Sequence, residues 1–263
     1  MITREGGRGK GKGDEVDLSS WIGTGLGILA VGLGQWLSGG SLGQLIQFAA
    51  LFVVIGGTLA ATLLAHSASD ILQALRALPL VYKESRPDDS PLIEEIIRLA
   101  VLARKEGVLA LEPERAGIHD PLLRKSIKYV IDGFDPGAVR EILEAEIRRS
   151  EDQEARAAQV FESAGSYAPT IGTLGAVLGL IQVMARLSDP TKIGEGIAVA
   201  FVATLYGVVL ANLLLLPWAA KLKRRIEARL VSREIVKAGV LGILEGLNPH
   251  FLQERLQVFR GPS

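Results

Sequence analysis

The sequence predicts an all-α membrane protein: four transmembrane helices, with a helical cytoplasmic domain formed by the central insert and the C-terminal tail. Three observations predict it. Four stretches are apolar over the roughly 20 residues a helix needs to cross a hydrocarbon core. They fall in two close pairs, separated by the charged stretch 66–166. Between and after the pairs, apolar residues recur at i, i+3 and i+4 and do not alternate, which is the helical period. Hydrophobic residues make up 48% of the 263, and mean hydropathy is +0.30.

The spans are Leu18–Leu37 (LSSWIGTGLGILAVGLGQWL), Leu42–Ala65, Tyr167–Leu187 and Gly196–Ala220. SGGS joins the first two and SDPTKIGE the last two. The one internal charge is Arg186, at the end of the third. Buried helices of a soluble domain would keep a polar stripe. The basic lead (Arg4, Arg8, Lys10, Lys12) is expected to precede a retained anchor. The apolar run is too long for a cleaved signal, no small-residue cleavage site follows, and a second span comes at once. Lys and Arg crowd the N-terminal tail, the insert and the run KLKRR after the fourth span, while the interspan turns hold only Lys192. Positive charge stays inside, so both termini and the insert are expected in the cytoplasm. The organisation is a basic tail 1–17, hairpin 18–65, insert 66–166, hairpin 167–220 and tail 221–263.

Within the insert, Ser69-Asp70 is expected to cap a helix through Leu80, and PDDSP (Pro87–Pro91) to break the chain. A helix then starts at Ser90-Pro91, with an apolar face of Ile93, Ile96, Ile97, Ala100 and Val101, and Gly107 is placed to end it. LEPERAGIHDP reads as loop or short helix, Leu122–Ile131 as helix. Asp135-Pro136 caps a helix from Ala138 to Gly165 that continues into the third span. The tail, Lys221 to about Leu247, extends the fourth span and carries Ile226, Leu230, Ile235 and Val240 to pack beside the insert. Almost no β structure is expected.

Composition excludes much chemistry. Lys plus Arg is 29 and Asp plus Glu is 29, without the basic surplus of a nucleic-acid binder. The absence of cysteine removes disulfides, thiolate zinc sites, iron–sulfur clusters and a Cys nucleophile. No P-loop, GxGxxG before a soluble helix or HExxH occurs, and no nucleophile–base set suggests an enzyme or cofactor. Ion carriers place a carboxylate or His inside the bilayer; these spans have none, Glu195 lying at the outer rim. If the chain conducts a cation, another chain must supply the titrating group. A self-contained transporter is disfavoured on the same ground.

The spans do hold small residues, among them Gly23, Gly25, Gly27, Gly32, Gly34, Gly56, Gly57, Gly172, Gly175 and Gly179, expected to let helices approach. Hydroxyls at Thr58, Thr62, Thr170, Thr173, Thr204 and Tyr206 either bond back to their own helix or line a wet path. Pro169 and Pro217 stand at the cytoplasmic ends of the third and fourth spans, at similar depth in antiparallel helices. Each removes a backbone donor and can loosen its helix one turn away.

The runs APTIGTLGAVLGLIQVM and VATLYGVVLANLLLLPWAAKL, with IGGTLAATLL in the second span and ARKEGVLALE at Ala103–Glu112, resemble the MotA stator subunits of the bacterial flagellar motor, within the wider MotA/TolQ/ExbB group. The first hairpin and ARKEGVLALE separate the former from three-span TolQ and ExbB. The resemblance implies five copies around two copies of MotB, whose single span carries an essential aspartate, in the bacterial inner membrane. Ion flow would turn the pentamer against the rotor protein FliG. Pro169 and Pro217 match the family's functional prolines; Arg104 and Glu112, with Lys105 beside them, match its FliG-engaging charges. Sodium-driven relatives carry a threonine in a third-span run like GTLxGL; here the run is GAVLGL, with Ala176 at that position and the fourth-span threonine kept as Thr204. Losing one oxygen ligand favours H+ over Na+, with Thr173 one turn earlier as the available substitute. An ion-driven subunit of another envelope or defence system, like ExbB, TolQ or ZorA, is the alternative.

Overall fold

The computed structural model describes residues 18–83, 88–185, 187–188 and 190–260, the side chains of residues 190–192 and 260 excepted. The tail 1–17, Pro87, Arg186 and the Lys192 side chain lie outside the described residues. No β-strand occurs among the described residues, as expected. The helices are α1 (Leu18–Leu37), α2 (48–65), α3 (Ala68–Val81), α4 (Ser90–Glu106), α5 (Pro121–Ile131), α6 (Pro136–Ala185), α7 (190–244) and α8 (Pro249–Gln257). The chain divides into two units, Met1–Glu84 with Arg156–Lys223 and Ser85–Ala155 with Arg224–Ser263.

In the first unit, α1 spans the residues read as the first span, and none of them is buried. Three helical stretches among the described residues are long and apolar enough to cross a membrane: Leu42–Ala65, Pro136–Ala185 and Ile193–Leu244. α1 is long enough but diluted by five glycines, two serines and Gln35. The second predicted span is not one smooth helix. A 3-10 turn (Leu42–Leu45) and extended residues at Ile46 and Gln47 precede α2, which contains a π turn at Phe52–Gly56. SDPTKIGE is shorter as a turn than expected, because Pro190 already opens α7 with its φ preset for a first helical turn.

α3 follows α2 after His66 and Ser67. Its cap is Ser67, whose Oγ accepts from the Asp70 N–H at 3.2 Å, correcting the expected Ser69-Asp70 start. The side chain two positions earlier is the one in reach of the N3 amide. A small core joins Ala50 and Val54 of α2 to Val202 and Ala203 of α7.

The second unit holds a larger apolar core. Ile96, Leu99, Leu123, Ile127, Leu143, Ile235 and Leu241 are fully buried in it, so the tail does pack beside the insert. α4 opens at Ser90-Pro91 as predicted and buries Ile93, Ile96, Leu99 and Ala100; Leu99 belongs to the face, while Ile97 and Val101 lie at its margin. Gly107 ends it with φ +89, a left-handed value open to glycine. Asp120 caps α5, its Oδ1 accepting from Leu123 N–H at 2.7 Å. Asp135 Oδ2 caps α6 by accepting from Gly137 and Ala138. α8 was not expected; Asn248-Pro249, a cap residue followed by a preset first turn, was its signal. Across α6 and α7, Glu154 binds Arg229 at 3.1 Å and Arg233 at 2.5 Å, and Glu144 reaches Lys237 at 3.6 Å. The hydrogen bond from Lys125 to Glu146 (2.7 Å) raises the lysine above its usual pKa, against a smaller effect of burial.

Candidate functional site

The two long helices meet in the first unit through glycines. A Cβ on Gly172 would stand 2.8 Å from the Ala203 carbonyl oxygen, and one on Gly207 would stand 2.5 Å from that of Ala168. A Cβ on Gly179 would lie 2.9 Å from both Ala200 N and the Gly196 carbonyl oxygen, and Gly175 faces Ala203. The third-span glycines therefore close the gap between backbones, as small residues do in membranes. Gly196 and Gly207, on the opposing helix, complete the stripe. The sequence reading singled out neither as a packing glycine, though GEGIA and LYGV carry them two turns before and one turn after Ala203.

With that face spent on packing, the rest of α6 shows Thr170, Thr173, Leu174, Val177, Ile181 and Met184 outward. Its hydroxyls turn back on their own helix: Thr173 Oγ1 donates to the Pro169 carbonyl at 3.1 Å and Thr170 Oγ1 to that of Tyr167 at 2.7 Å. The helix runs unbroken through half-buried Pro169. The proline's missing N–H leaves the Gly165 carbonyl, four residues earlier, without its helical donor, and neither threonine bonds that carbonyl. On α7, Thr204 is half-buried and donates to the Ala200 carbonyl at 3.3 Å. Half-buried Ala176 and Thr204 flank the Gly175–Ala203 contact.

Pro217 is exposed and follows a π turn at Leu210–Leu215. There Leu216 N–H reaches back five residues to the Ala211 carbonyl. A proline at 217 offers no N–H to Leu213, four residues earlier, so the wider register one turn upstream is the loosening expected of it. Gly165 packs on Leu216, whereas Gly172 packs on Ala203 and Gly207. Pro169 thus sits about two turns, roughly 10 Å, beyond Pro217 along the pair. The two prolines are not level, which corrects the similar depth expected of them.

Tyr206 reaches across to the segment ahead of α2. Its hydroxyl donates to the Leu45 carbonyl and accepts from Gln47 N–H at 3.2 Å, serving the non-helical backbone ahead of α2. Thr62 back-bonds to the Thr58 carbonyl at 2.7 Å. Thr58 Oγ1, buried just past the π turn of α2, has no partner among the described residues. Apolar periodicity could not have shown either π turn.

In the second unit, Arg104 and Lys105 are exposed in the last turn of α4, and Glu112 is exposed in a short helix, Leu111–Glu114. Gly107 separates them, so the eight-residue spacing is not two turns of one helix. Arg98 pairs with Glu114 beside them. The three singled-out charges have no ion pair among the described residues. Leu109, at the tip between them, is 69% exposed and was not singled out from the sequence.

A close-packed pair of glycine-lined spanning helices, bearing hydroxyls and prolines but no acid among their described span residues, defines the wall of an ion-conducting membrane assembly. A family model described as the MotA/TolQ/ExbB proton channel family matches residues 114–235. The Motility protein A of Bacillus subtilis is 35% identical over 248 residues, covering 93% of this chain and 91% of the relative. The flagellar MotAB stator complex from Bacillus subtilis superposes with a TM-score of 0.84 at 34% identity, covering 92% of this chain and 96% of that one. C. jejuni MotAB does so with a TM-score of 0.86 at 28% identity, over 92% and 95%. The chain belongs to the MotA/TolQ/ExbB proton channel family, which is a family of channels and not of enzymes.

Proposed function

We propose that this chain is the multi-span subunit of a flagellar stator, forming an ion channel with a MotB-like partner whose flow drives torque on the rotor. The observation that carries this is the missing acid: no carboxylate lies within Leu18–Leu37, Leu42–Ala65, Tyr167–Leu187 or Gly196–Ala220. A channel wall of this kind needs a titrating group from a second chain. Relatives of matching length are named for motility, which favours the flagellar role.

In this reading α1 is a fourth span, so that 18–65 and 167–220 form two hairpins, with 66–166, 221–263 and both termini in the cytoplasm of an inner-membrane protein. Five copies surround two of the partner. Protons are the ion, because Ala176 supplies no oxygen and Thr173 and Thr204 are bonded to their own helices. Arg104, Lys105 and Glu112 engage FliG; their exposure and freedom from ion pairs support that use. One charge crossing 100 mV releases about 2.3 kcal/mol, enough to bias a step between nearly equal rotational states. The wider register before Pro217 is where such a step would be accommodated.

The family model also takes in TolQ and ExbB, so a second reading is an ion-driven subunit serving another envelope or defence system. Charge reversal separates them. Arg104→Glu and Glu112→Lys are expected to abolish or strongly slow swimming while membrane levels of the protein hold. Unchanged swimming would favour the second reading.

A further inference from the structure

A cleft of about 270 Å³ opens in the first unit between the start of α1, the end of α3 and the turn around Pro217. Its walls are tied together. Ser20 Oγ donates to the Val81 carbonyl at 3.2 Å. The Trp21 and Tyr82 rings meet at a 41° tilt with centroids 4.8 Å apart, and Trp218 Nε1 donates to the Tyr82 hydroxyl at 2.9 Å. Lys221 Nζ donates to the hydroxyls of Ser20 and, at 3.4 Å, Ser19. The cleft is thus lined by the Lys221 ammonium, hydroxyls and the Asn212 amide together with the apolar Leu213 and Val81.

That is the chemistry of a lipid headgroup site. Trp and Tyr bodies concentrate where hydrocarbon gives way to water. Lys221 opens the basic run after the fourth span, which places this level at the inner leaflet in the reading above. From the cleft, α1 presents a continuous apolar stripe: Leu18 is 67%, Ile22 50% and Leu26 61% exposed. An acyl chain can lie along it while the headgroup enters. A phosphodiester monoanion matches the lysine, and donors and acceptors on Ser19, Thr24 and Asn212 suit a glycerol headgroup. A choline would bring a second cation against Lys221. We propose that this cleft binds the headgroup of an anionic phospholipid, phosphatidylglycerol in class, against Pro217. The proposal rests on the membrane reading given above.

The test is native mass spectrometry of the full-length chain in detergent, titrated with phosphatidylglycerol or phosphatidylcholine. The wild type is expected to retain phosphatidylglycerol about fivefold better, on the scale of one lysine near an anionic surface. Lys221→Met should remove that preference by losing the cation. Gly23→Leu should do so by filling the cleft, since a Cβ there meets nothing within 4 Å. Both variants should stay in the membrane fraction with an unchanged melting temperature. Equal retention of the two lipids by the wild type, or preference surviving in Gly23→Leu, would overturn the site. Inorganic phosphate displacing the lipid at equal concentration would make it a phosphate site and overturn the lipid assignment. A wild-type chain in the soluble fraction would instead defeat the membrane reading itself.

Discussion

At Pro217 the ring removes an N–H, the preceding turn widens to a five-residue register, and a cleft opens beside it. The sequence announced the missing donor but not how the helix would absorb it, because a π turn leaves no mark on apolar spacing. Tyr206 shows the same limit. Its place in the fourth span was legible, but its partners at Leu45 and Gln47 are far away in sequence, and nothing local foretells them. Tyr206→Phe leaves a carbonyl and an N–H without this partner, at a cost of about 1–3 kcal/mol. A lower melting temperature in lipid is expected, and an unchanged one would mean that the bridge contributes nothing. Ala176→Thr restores a hydroxyl beside the Gly175–Ala203 contact. If the ion is a proton in the wild type, swimming of that strain should begin to depend on sodium; complete indifference to sodium would argue against Ala176 as the discriminating position.

Among the elements, the α6–α7 pair is the most constrained. Gly207→Val would drive a side chain into the Ala168 carbonyl and Gly172, an overpacking cost of about 1–3 kcal/mol. Reduced thermal stability and lost motility are expected. Gly34→Ala, with nothing within 4 Å of the added Cβ, should leave both unchanged. Gly107→Ala forces a side chain into φ +89, costing about 1 kcal/mol or more and displacing Glu112 relative to Arg104. Slower swimming with normal membrane levels is the expected outcome. Most of these elements could be read in advance. Gly107 and the proline starts at 91 and 136 sit where helix boundaries fall, and the apolar face of α4 was found apart from Leu99. The cap of α3 and the whole of α8 were missed because short polar stretches carry several candidate caps, and tertiary contact chooses among them.

For the molecule as a whole, the absence of acid in the spans was plain in the sequence and is what the fold makes meaningful. Glycines bring α6 and α7 into backbone contact, the hydroxyls of Thr170, Thr173 and Thr204 bond to their own helices, and the outward stripe from Leu174 to Met184 is apolar. In the proposed reading, such a surface walls a pore without supplying its titrating group. Vesicle reconstitution tests this directly. The chain alone, under an imposed potential with a pH-sensitive dye inside, should pass protons no faster than protein-free vesicles. Adding the span of a single-span partner that carries its aspartate should raise the rate, and the same span with Asp→Asn should not. Rapid, selective proton entry through the chain by itself would contradict the account.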